Sequence, residues 1–339
     1  MPGISITEAS GVVNSLFGNV QAPIRRFILK QGEAWEQETM LPHLFAMTNS
    51  THFGEMSSGL TAMEGFKPVG ENGTYPVDSF EETFQKLIVH MTWKDSFSLS
   101  RELVDDGTLA DLRRRPENFV AGFYRTREEF GAALYGTAIK GEKNINFRGK
   151  TFDCTGADGK TLFAKDHPSK LNKSQTQSNQ FSDAFSAAAL GAMESAMQDF
   201  RGDRNEILAV SPDTILIPNN YELKNAVFAA IGADKDPDTS NNAFNYLFGR
   251  WNVIVWPYLN KYITANTKPW VLIDSRFLEA QGAAPWYDRT DLEIKSRIDE
   301  GNDANVWGGY ARWGVGFADW RFAAVGGVSG GTQLISAGG

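Results

Sequence analysis

The sequence predicts an α+β fold, and three features of the chain support this prediction. Residues 87–99 alternate apolar and polar side chains, a period of two that is typical of a strand with one apolar face. Residues 116–139 repeat apolar side chains at spacings of three, four and seven, as one stripe of a long helix does. Residues 183–278 alternate helix-like and strand-like segments, which is typical of a compact α/β domain.

The composition indicates a folded protein without disulfide bonds. The 339 residues are 42% hydrophobic, which is enough for a sizeable core, and Cys154 is the only cysteine. No apolar run approaches the ~20 residues of a membrane helix, and the N-terminus lacks the pattern of a signal peptide. The formal net charge of −8 argues against tight nucleic-acid binding, which needs a basic excess.

The N-terminal part predicts an arm followed by a projecting β-ribbon. Residues 1–58 show no sustained period and are interpreted as an extended arm with one helix. Residues 59–104 begin with glycines and prolines, including a turn-forming Asn72-Gly73 pair, and end in the long alternating strand. A two-stranded ribbon is marginally stable alone in water, so we expect its apolar stripe to contact a surface of this chain or of another. The stripe consists of Leu87, Val89, Met91 and Trp93.

The middle of the chain predicts a long helix that begins at Pro116, because the fixed φ of proline suits a first helical turn. Its residues as far as Ile139 would form a rod of roughly 36 Å, which we interpret as a spine. The predicted buried stripe consists of Phe119, Phe123, Phe130, Leu134 and Ala138.

The remainder predicts a second domain and a return to the spine. Ser182 is a candidate N-cap for an Ala/Met-rich helix, and a further helix is predicted to start at Asn219 and end at Gly232. Runs of Val, Ile and Trp predict buried strands. Residues 286–339 predict two or three strands that pack back on the spine helix.

Motifs for catalysis or metal binding are weak. A Gly/Lys-rich loop separates Cys154 from the Asp166-His167 pair, and nothing in this spacing brings a thiol and a base together. Residues 234–245 resemble the start of a calcium loop, but Thr239 stands where glycine is needed, and Asn245 stands where a bidentate glutamate is needed. The four histidines show no zinc-ligand spacing. We therefore predict no catalytic, cofactor-binding or metal site.

Two groups of residues leave alternatives open. Arg113, Arg114 and Arg115 form either a solvated helix end or a contact to an acidic neighbour or an enclosed polyanion. The nine tryptophans, with Asp288 and Asp291 as paired carboxylates, suggest a sugar-binding cleft. Most of these tryptophans lie in strand-like apolar patterns, so packing in the core or at interfaces is the favoured interpretation.

The order of these parts resembles the major capsid protein of tailed bacteriophages, which has the HK-97-like fold. More narrowly, the chain is similar to the Mu-like major head subunit family in the stretches "YPVDSFEETFQKLIVHMTWKDSFSLSRELVDDG", "GKTLFAKDHPS", "FSAAALGAMESAMQDF", "ILAVSPDTILIPNN", "WNVIVWPYL", "WVLIDSR" and "YARWGVGFADWRFA". The resemblance implies an N-terminal arm (1–58), an extended β-ribbon loop (59–104), the spine-helix part of a peripheral domain (105–145), an axial domain (146–285), and return strands with the C-terminus (286–339).

The resemblance implies a structural protein of the virion and not an enzyme. It implies self-assembly as homo-pentamers and homo-hexamers into an icosahedral shell that encloses phage double-stranded DNA, with assembly in the host cytoplasm. The implied partners are other copies of the chain, separate scaffold and portal proteins, optional decoration proteins, and DNA through weak nonspecific contact, without a membrane or cofactor.

In this fold the extended loop lies across a neighbouring subunit, so the resemblance also implies residues for that contact. Met1 leads almost directly into the arm, and a separate scaffold or prior cleavage is therefore expected. No motif identifies a reactive pair for a covalent cross-link. The implied inter-subunit residues are Phe66, Lys67, Glu71, Lys86, Leu87, Val89, Met91, Trp93, Arg113, Arg114 and Arg115.

Two other functions remain open on the sequence. An encapsulin-like compartment shell protein shares the same fold and would enclose an enzyme instead of DNA. A soluble carbohydrate-binding or carbohydrate-acting protein would use surface Trp and Asp residues, and it would need two carboxyl groups ~5 to 9 Å apart in a cleft.

Overall fold

Two β-sheets joined by one long helix form the framework of the protein. The computed structural model describes residues 4–7, 15–60, 68–69, 71, 74–75, 77, 82–106, 109–232, 245–299 and 301–335. The described helices are α1 (Ser15–Glu38), α2 (Leu41–Leu44), α3 (Arg101–Asp106), α4 (Leu109–Lys140), α5 (Ala187–Gln198), α6 (Tyr221–Ile231) and α7 (Ser275–Gln281), with a 3-10 helix at Pro257–Lys261.

The described strands are β1 (Ile4–Thr7), β2 (Ala46–Asn49), β3 (Gly54–Leu60), β4 (Glu82–Val89), β5 (Met91–Leu99), β6 (Asn144–Phe147), β7 (Lys150–Asp153), β8 (His167–Pro168), β9 (Thr176–Gln177), β10 (Thr214–Pro218), β11 (Asn252–Trp256), β12 (Trp270–Ile273), β13 (Pro285–Asp299), β14 (Ala304–Val315) and β15 (Ala323–Gly326).

The first sheet has the order β1-β13-β14-β5, and β2 also pairs with β13. The N-terminal region, predicted as an extended arm with one helix, therefore contains α1 and also adds two strands to this sheet. The spine helix α4 packs on the sheet, where the Phe119 ring lies against the backbone of Gly309 on β14. A side chain at Gly309 would collide with that ring, so glycine permits the close approach of helix and strand.

The predicted spine helix is confirmed, although it begins at Leu109 and not at Pro116. Pro116 lies inside the helix, where it lacks the N–H for one helical hydrogen bond. Its ring is buried, so packing offsets part of that loss. The predicted stripe faces the core: Phe130, Leu134 and Ala138 are fully buried.

The second sheet has the order β11-β10-β12-β15, with β10 and β11 parallel and the other pairs antiparallel. Every residue of β10, β12 and β15 is buried, as the run of Val, Ile and Trp predicted for β12. The same pattern predicted a buried β11, but only Ile254 and Trp256 of that strand are fully buried. The C-terminal strands divide between the sheets. β13 and β14 pack on the spine as predicted, but β15 pairs with β12 in the second sheet.

Strands β3 and β4 form a separate antiparallel pair, the β3–β4 ribbon. None of the described helices has the length and apolar character to cross a membrane.

Candidate assembly surface

The predicted thirteen-residue strand is two strands, because the alternation reverses at His90. In β4 the side chains described as buried or half-buried are Phe84, Lys86 and Ile88, all at even positions, whereas in β5 they include Met91 and Trp93, at odd positions. A shift of one residue exchanges the two faces of a strand. The chain thereby passes from the ribbon, where β4 pairs with β3, into the first sheet, where β5 pairs with β14.

One face of the ribbon is apolar and exposed. Met56 on β3 lies directly opposite Leu87 on β4, and Val89 follows on the same face. The exposed fractions of these side chains are 58%, 54% and 41%. We call Met56, Leu87 and Val89 the outer patch. Leu87 and Val89 are thus exposed in the single subunit, and their predicted contact with a neighbouring subunit stays a prediction.

The side chains on the opposite face of the ribbon contact other parts of the same chain. Lys86 Nζ donates to Asp153 Oδ2 at 3.1 Å and also to the backbone oxygen of Thr155. Ile88 is 3% exposed and packs against Gly314 and Gly316 at the end of β14. We call Lys86, Ile88 and His90 the inner row. Lys86 is thus held within the chain, which differs from the predicted contact to another subunit.

Trp93 also differs from the prediction, because its ring packs inside the chain. It stacks on Trp313 with a centroid distance of 4.6 Å and on Phe152 at 6.0 Å. Phe130 of the spine contacts it edge-on at 5.5 Å. Met91, on the same face of β5, is half-buried. The phase reversal at His90 moves both residues from the expected outer stripe to the inward face.

The remaining predicted contact residues have mixed positions. Phe66 and Lys67 lie outside the described residues, as does the Asn72-Gly73 turn, while Glu71 is exposed. Arg113 forms an ion pair with Glu117 and lies 5.6 Å from the ring centroid of Phe27.

Arg114 and Arg115 of the same cluster differ in the contacts that they form. Arg115 donates to the backbone oxygen of Ser98, at the end of β5. Arg114 is exposed, and no described residue forms an ion pair with it. Among these three arginines, Arg114 therefore has the guanidinium best placed to contact another molecule.

The residues proposed for a sugar site have structural roles instead. Arg127 on the spine donates to both carboxylate oxygens of Asp288, at 2.7 and 2.9 Å, and both side chains are buried. Asp288 also accepts a hydrogen bond from the Trp286 indole at 3.2 Å. A carboxylate so occupied cannot serve as one of two catalytic carboxyl groups. The tryptophans less than 2% exposed are Trp256, Trp270, Trp286, Trp307 and Trp313.

The cysteine and histidine candidates are not brought together. Cys154 is buried, and burial raises the pKa of its thiol to about 12. His167 Nδ1 lies 2.6 Å from Asp158 Oδ2, while Asp166 pairs with Lys160. No thiol–imidazole pair is therefore present among these residues. The calcium-like segment lies outside the described residues except for Asn245, which donates to the Ala230 backbone oxygen. The described residues contain no cluster of three metal-ligating side chains.

Sequence reasoning missed the inner row. Ile88 is a large apolar residue at an even position, and it already conflicts with a single odd-numbered stripe. Ile88 was therefore the one local signal for a change of face, and His90 lies on the same face of the chain as Ile88.

Comparisons with known proteins give the relatives of this chain. The model of the family described as phage capsid protein matches residues 84–326. Among solved structures, the capsid of Ralstonia phage GP4 aligns with a TM-score of 0.50 and 10% identity, over 87% of this chain and 88% of that one. A structure from Mycobacterium phage Patience gives 0.48 and 14%, over 100% and 94%. The procapsid of bacteriophage JBD30 gives 0.46 and 14%, over 96% and 78%.

None of the curated protein sequences compared with the chain matches it. The likeness to the Ralstonia phage capsid confirms the predicted α+β, HK-97-like fold.

Proposed function

This chain belongs to the phage capsid protein family, and we propose that the outer patch of its β3–β4 ribbon joins neighbouring copies in the shell. The chain is a major capsid protein, the subunit of an icosahedral shell. The observation that supports the proposed contact is an exposed apolar face on a ribbon whose other face is already buried on its own subunit.

Covering the apolar side chains of the outer patch would stabilise a repeated contact between subunits. Burying one Leu, Val or Met side chain stabilises by roughly 1.5–3 kcal/mol when burial is complete. We propose that the patch docks on a different part of the neighbouring subunit, which makes the contact heterologous, so that each added subunit presents a new patch to the next. Such contacts form closed rings when the rotation closes. A ribbon of this kind therefore suits assembly into pentamers and hexamers.

Charge complements the apolar contact. The segment between β3 and β4 contains Glu64, Glu71, Asp78 and Glu81 against the single Lys67. Arg114, at the N-terminal part of the spine helix, is exposed. We propose that this acidic segment meets the arginine cluster of a neighbouring subunit. Such exposed pairs add little affinity and mainly set the register of docking.

The subfamily, the domain division, the partners and the place of assembly are proposed from the sequence. We propose that the chain is closest to Mu-like head subunits and retains the domain division implied by that resemblance. Scaffold, portal and decoration proteins are proposed partners, and assembly is proposed to take place in the host cytoplasm. The net charge of −8 suits weak, nonspecific contact with the enclosed DNA. The role is structural rather than enzymatic, and a phage shell is favoured over an enzyme compartment because the matching family is that of phage capsids.

Electron microscopy and light scattering of purified variants test this function. The wild-type protein should form shells, tubes or rings, and Leu87→Asp should give a folded subunit that does not assemble. Leu87→Met is the matched control, since it keeps an apolar side chain at the same place and should assemble. Normal particles from Leu87→Asp would contradict the assignment of the outer patch.

A further inference from the structure

His90 lies at the junction between the ribbon and the first sheet. It follows Val89, the last residue of β4, and precedes Met91, the first residue of β5. Its ring is 4% exposed. Because the alternation of faces reverses at this residue, any change in how the ribbon leaves the sheet must alter the surroundings of this ring.

The hydrogen bonds around His90 require a proton on Nε2 of its ring. Ser50 Oγ donates to Glu55 Oε1 at 2.6 Å, so its single proton is used there. His90 Nε2 lies 2.9 Å from the same Ser50 oxygen and must therefore be the donor in that contact. The chain His90–Ser50–Glu55 ties the junction to β3. This arrangement needs an imidazole protonated at Nε2.

The other ring nitrogen, Nδ1 of His90, is buried, and within the part of the chain that the structure describes it forms no hydrogen bond. It faces the backbone at Gly314, where a Cβ atom would lie only 3.0 Å from it. A proton on Nδ1 would be a buried donor without an acceptor, and such a group costs about 1–3 kcal/mol. The packing therefore accepts neutral histidine and opposes the imidazolium ion.

The charged groups around the ring act in both directions. Arg312 on β14 and Arg289 on β13 disfavour a second positive charge, whereas Glu55 on β3 and Asp288 on β13 favour it. Asp288 is already paired with Arg127. The Tyr287 ring meets the imidazole edge-on at 6.3 Å. Burial is the largest cause, with Arg312 next, and the net result is a pKa of His90 below its ordinary value of 6.5.

We propose that His90 is a pH-sensitive latch, which holds the β3–β4 ribbon against its own subunit while neutral and releases the base of the ribbon when protonated. The inference rests on the proposed function in one respect: release matters because the ribbon presents the outer patch to neighbouring copies. The opening itself is a property of the single subunit. It involves proton uptake at Nδ1 and the loss of the contacts to Ser50 and Gly314.

The pH range follows from the direction of the pKa shift. A histidine whose pKa is lowered by folding contributes its full stability above the unfolded value of 6.5. That contribution is lost as the pH falls from 6.5 toward the lower pKa of the closed state. Opening of the latch should therefore increase by up to about tenfold for each pH unit within this range.

Amide hydrogen exchange of the full-length, unassembled subunit tests the latch at about pH 7.5 and about pH 5.5. After correction for intrinsic rates, amides of β3 and β4 in the wild type should lose protection by up to about tenfold at the lower pH, while β10 and β12 stay protected. His90→Gln keeps a donor toward Ser50 but cannot titrate, and its ribbon should respond less than about twofold. His43→Gln, at an exposed histidine, is the matched control and should behave as the wild type.

A second measurement needs no variant. Nuclear magnetic resonance of the histidine rings in the wild type should show His90 as the neutral Nε2–H form at neutral pH, with a titration that parallels the loss of ribbon protection. An imidazolium or Nδ1–H form at neutral pH would overturn the proposal, as would equal ribbon loosening in wild type and His90→Gln. Because no assembled particle is used, these outcomes are independent of whether the outer patch joins subunits.

Discussion

Arg127 on the spine helix and Asp288 on β13 form a buried bidentate ion pair, with side chains that are each 3% exposed. The guanidinium also lies 4.9 Å from the Trp286 ring centroid and 5.4 Å from that of Trp313. This pair joins the helix to the sheet at the point where aromatic rings surround both groups. Removal of one member would leave an unpaired buried charge.

Arg127→Ala should lower the free energy of unfolding by about 3–5 kcal/mol, the usual cost of leaving a buried charge unpaired. Denaturant unfolding followed by tryptophan fluorescence measures this change. The double variant Arg127→Met with Asp288→Leu removes both charges and should recover most of the loss. A single variant within about 1 kcal/mol of the wild type would contradict the assigned role.

Trp93→Asp should act on folding and not specifically on assembly. The ring stacks on Trp313 and Phe152, so its replacement leaves a cavity and buries a carboxylate, with an expected cost of about 3–5 kcal/mol or more. Calorimetry of the isolated subunit gives the change in Tm. Leu87→Asp, on the exposed face, is the comparison and should unfold near the wild-type temperature. Equal Tm values for both variants would show that Trp93 is not part of the core.

Asp153→Asn should loosen the ribbon by the same factor at about pH 7.5 and about pH 5.5. Burial alone would raise the pKa of Asp153, but hydrogen bonds from Thr155 and the charge of Lys86 lower it below its ordinary value of 3.8. A carboxylate with a lowered pKa contributes its stability above the unfolded value and loses it only as the pH falls through the folded value. Asp153 therefore stays ionised across this range.

Hydrogen exchange of the β4 amides in this variant separates its contribution from that of His90. If Asp153→Asn abolished the acid response of the ribbon, the response would belong to the Lys86 contact and not to the histidine. Asp95→Asn is a control at an exposed carboxylate on the neighbouring strand.

Deletion of residues 66–78 should leave a folded subunit that is defective in assembly, because Glu71 and Asp78 of the acidic segment are lost while the outer patch is kept. The deleted segment lies between β3 and β4, whose pairing extends from Gly54 opposite Val89 to Leu60 opposite Glu82 and would be retained. Circular dichroism should show an unchanged Tm, and light scattering should show fewer and more irregular particles than the wild type forms. Normal particles from the deletion variant would show that residues 66–78 are not needed for the contact between subunits.

Local sequence patterns predicted the elements in which the pattern of apolar side chains is uninterrupted. The stripe of Phe130, Leu134 and Ala138 on α4 follows from side-chain spacing, the burial of β12 follows from its continuous apolar run, and both are confirmed. The same kind of run predicted a buried β11, of which only Ile254 and Trp256 are fully buried. Helix boundaries were less accurate. Ser186 caps α5 where Ser182 was predicted, and Asn220 caps α6 where Asn219 was predicted. Neighbouring polar residues can serve equally well as caps, so the local sequence does not decide between them.

Long-range pairing was beyond local patterns. The strand predicted at residues 87–99 is divided at His90 because β4 pairs with β3 while β5 pairs with β14, more than two hundred residues later in the chain. Ile88 is the one apolar side chain at an even position of this segment, so the alternation did not show that the inward face changes at His90. The predicted stripe therefore divides: Leu87 and Val89 are exposed, whereas the half-buried Trp93 packs against the core. The contact of Leu87 and Val89 with another subunit stays a prediction.

Site-specific photo-crosslinking in assembled particles tests the central claim most directly. A small diazirine amino acid is placed at Leu87 or at Ile88, and particles are assembled from mixed light and heavy isotope-labelled subunits. The account predicts mixed-isotope cross-links between chains from Leu87, and cross-links within one chain to the segment around Gly314 and Gly316 from Ile88. Cross-links from Leu87 that remain within one chain would contradict the assignment of this face to the subunit interface.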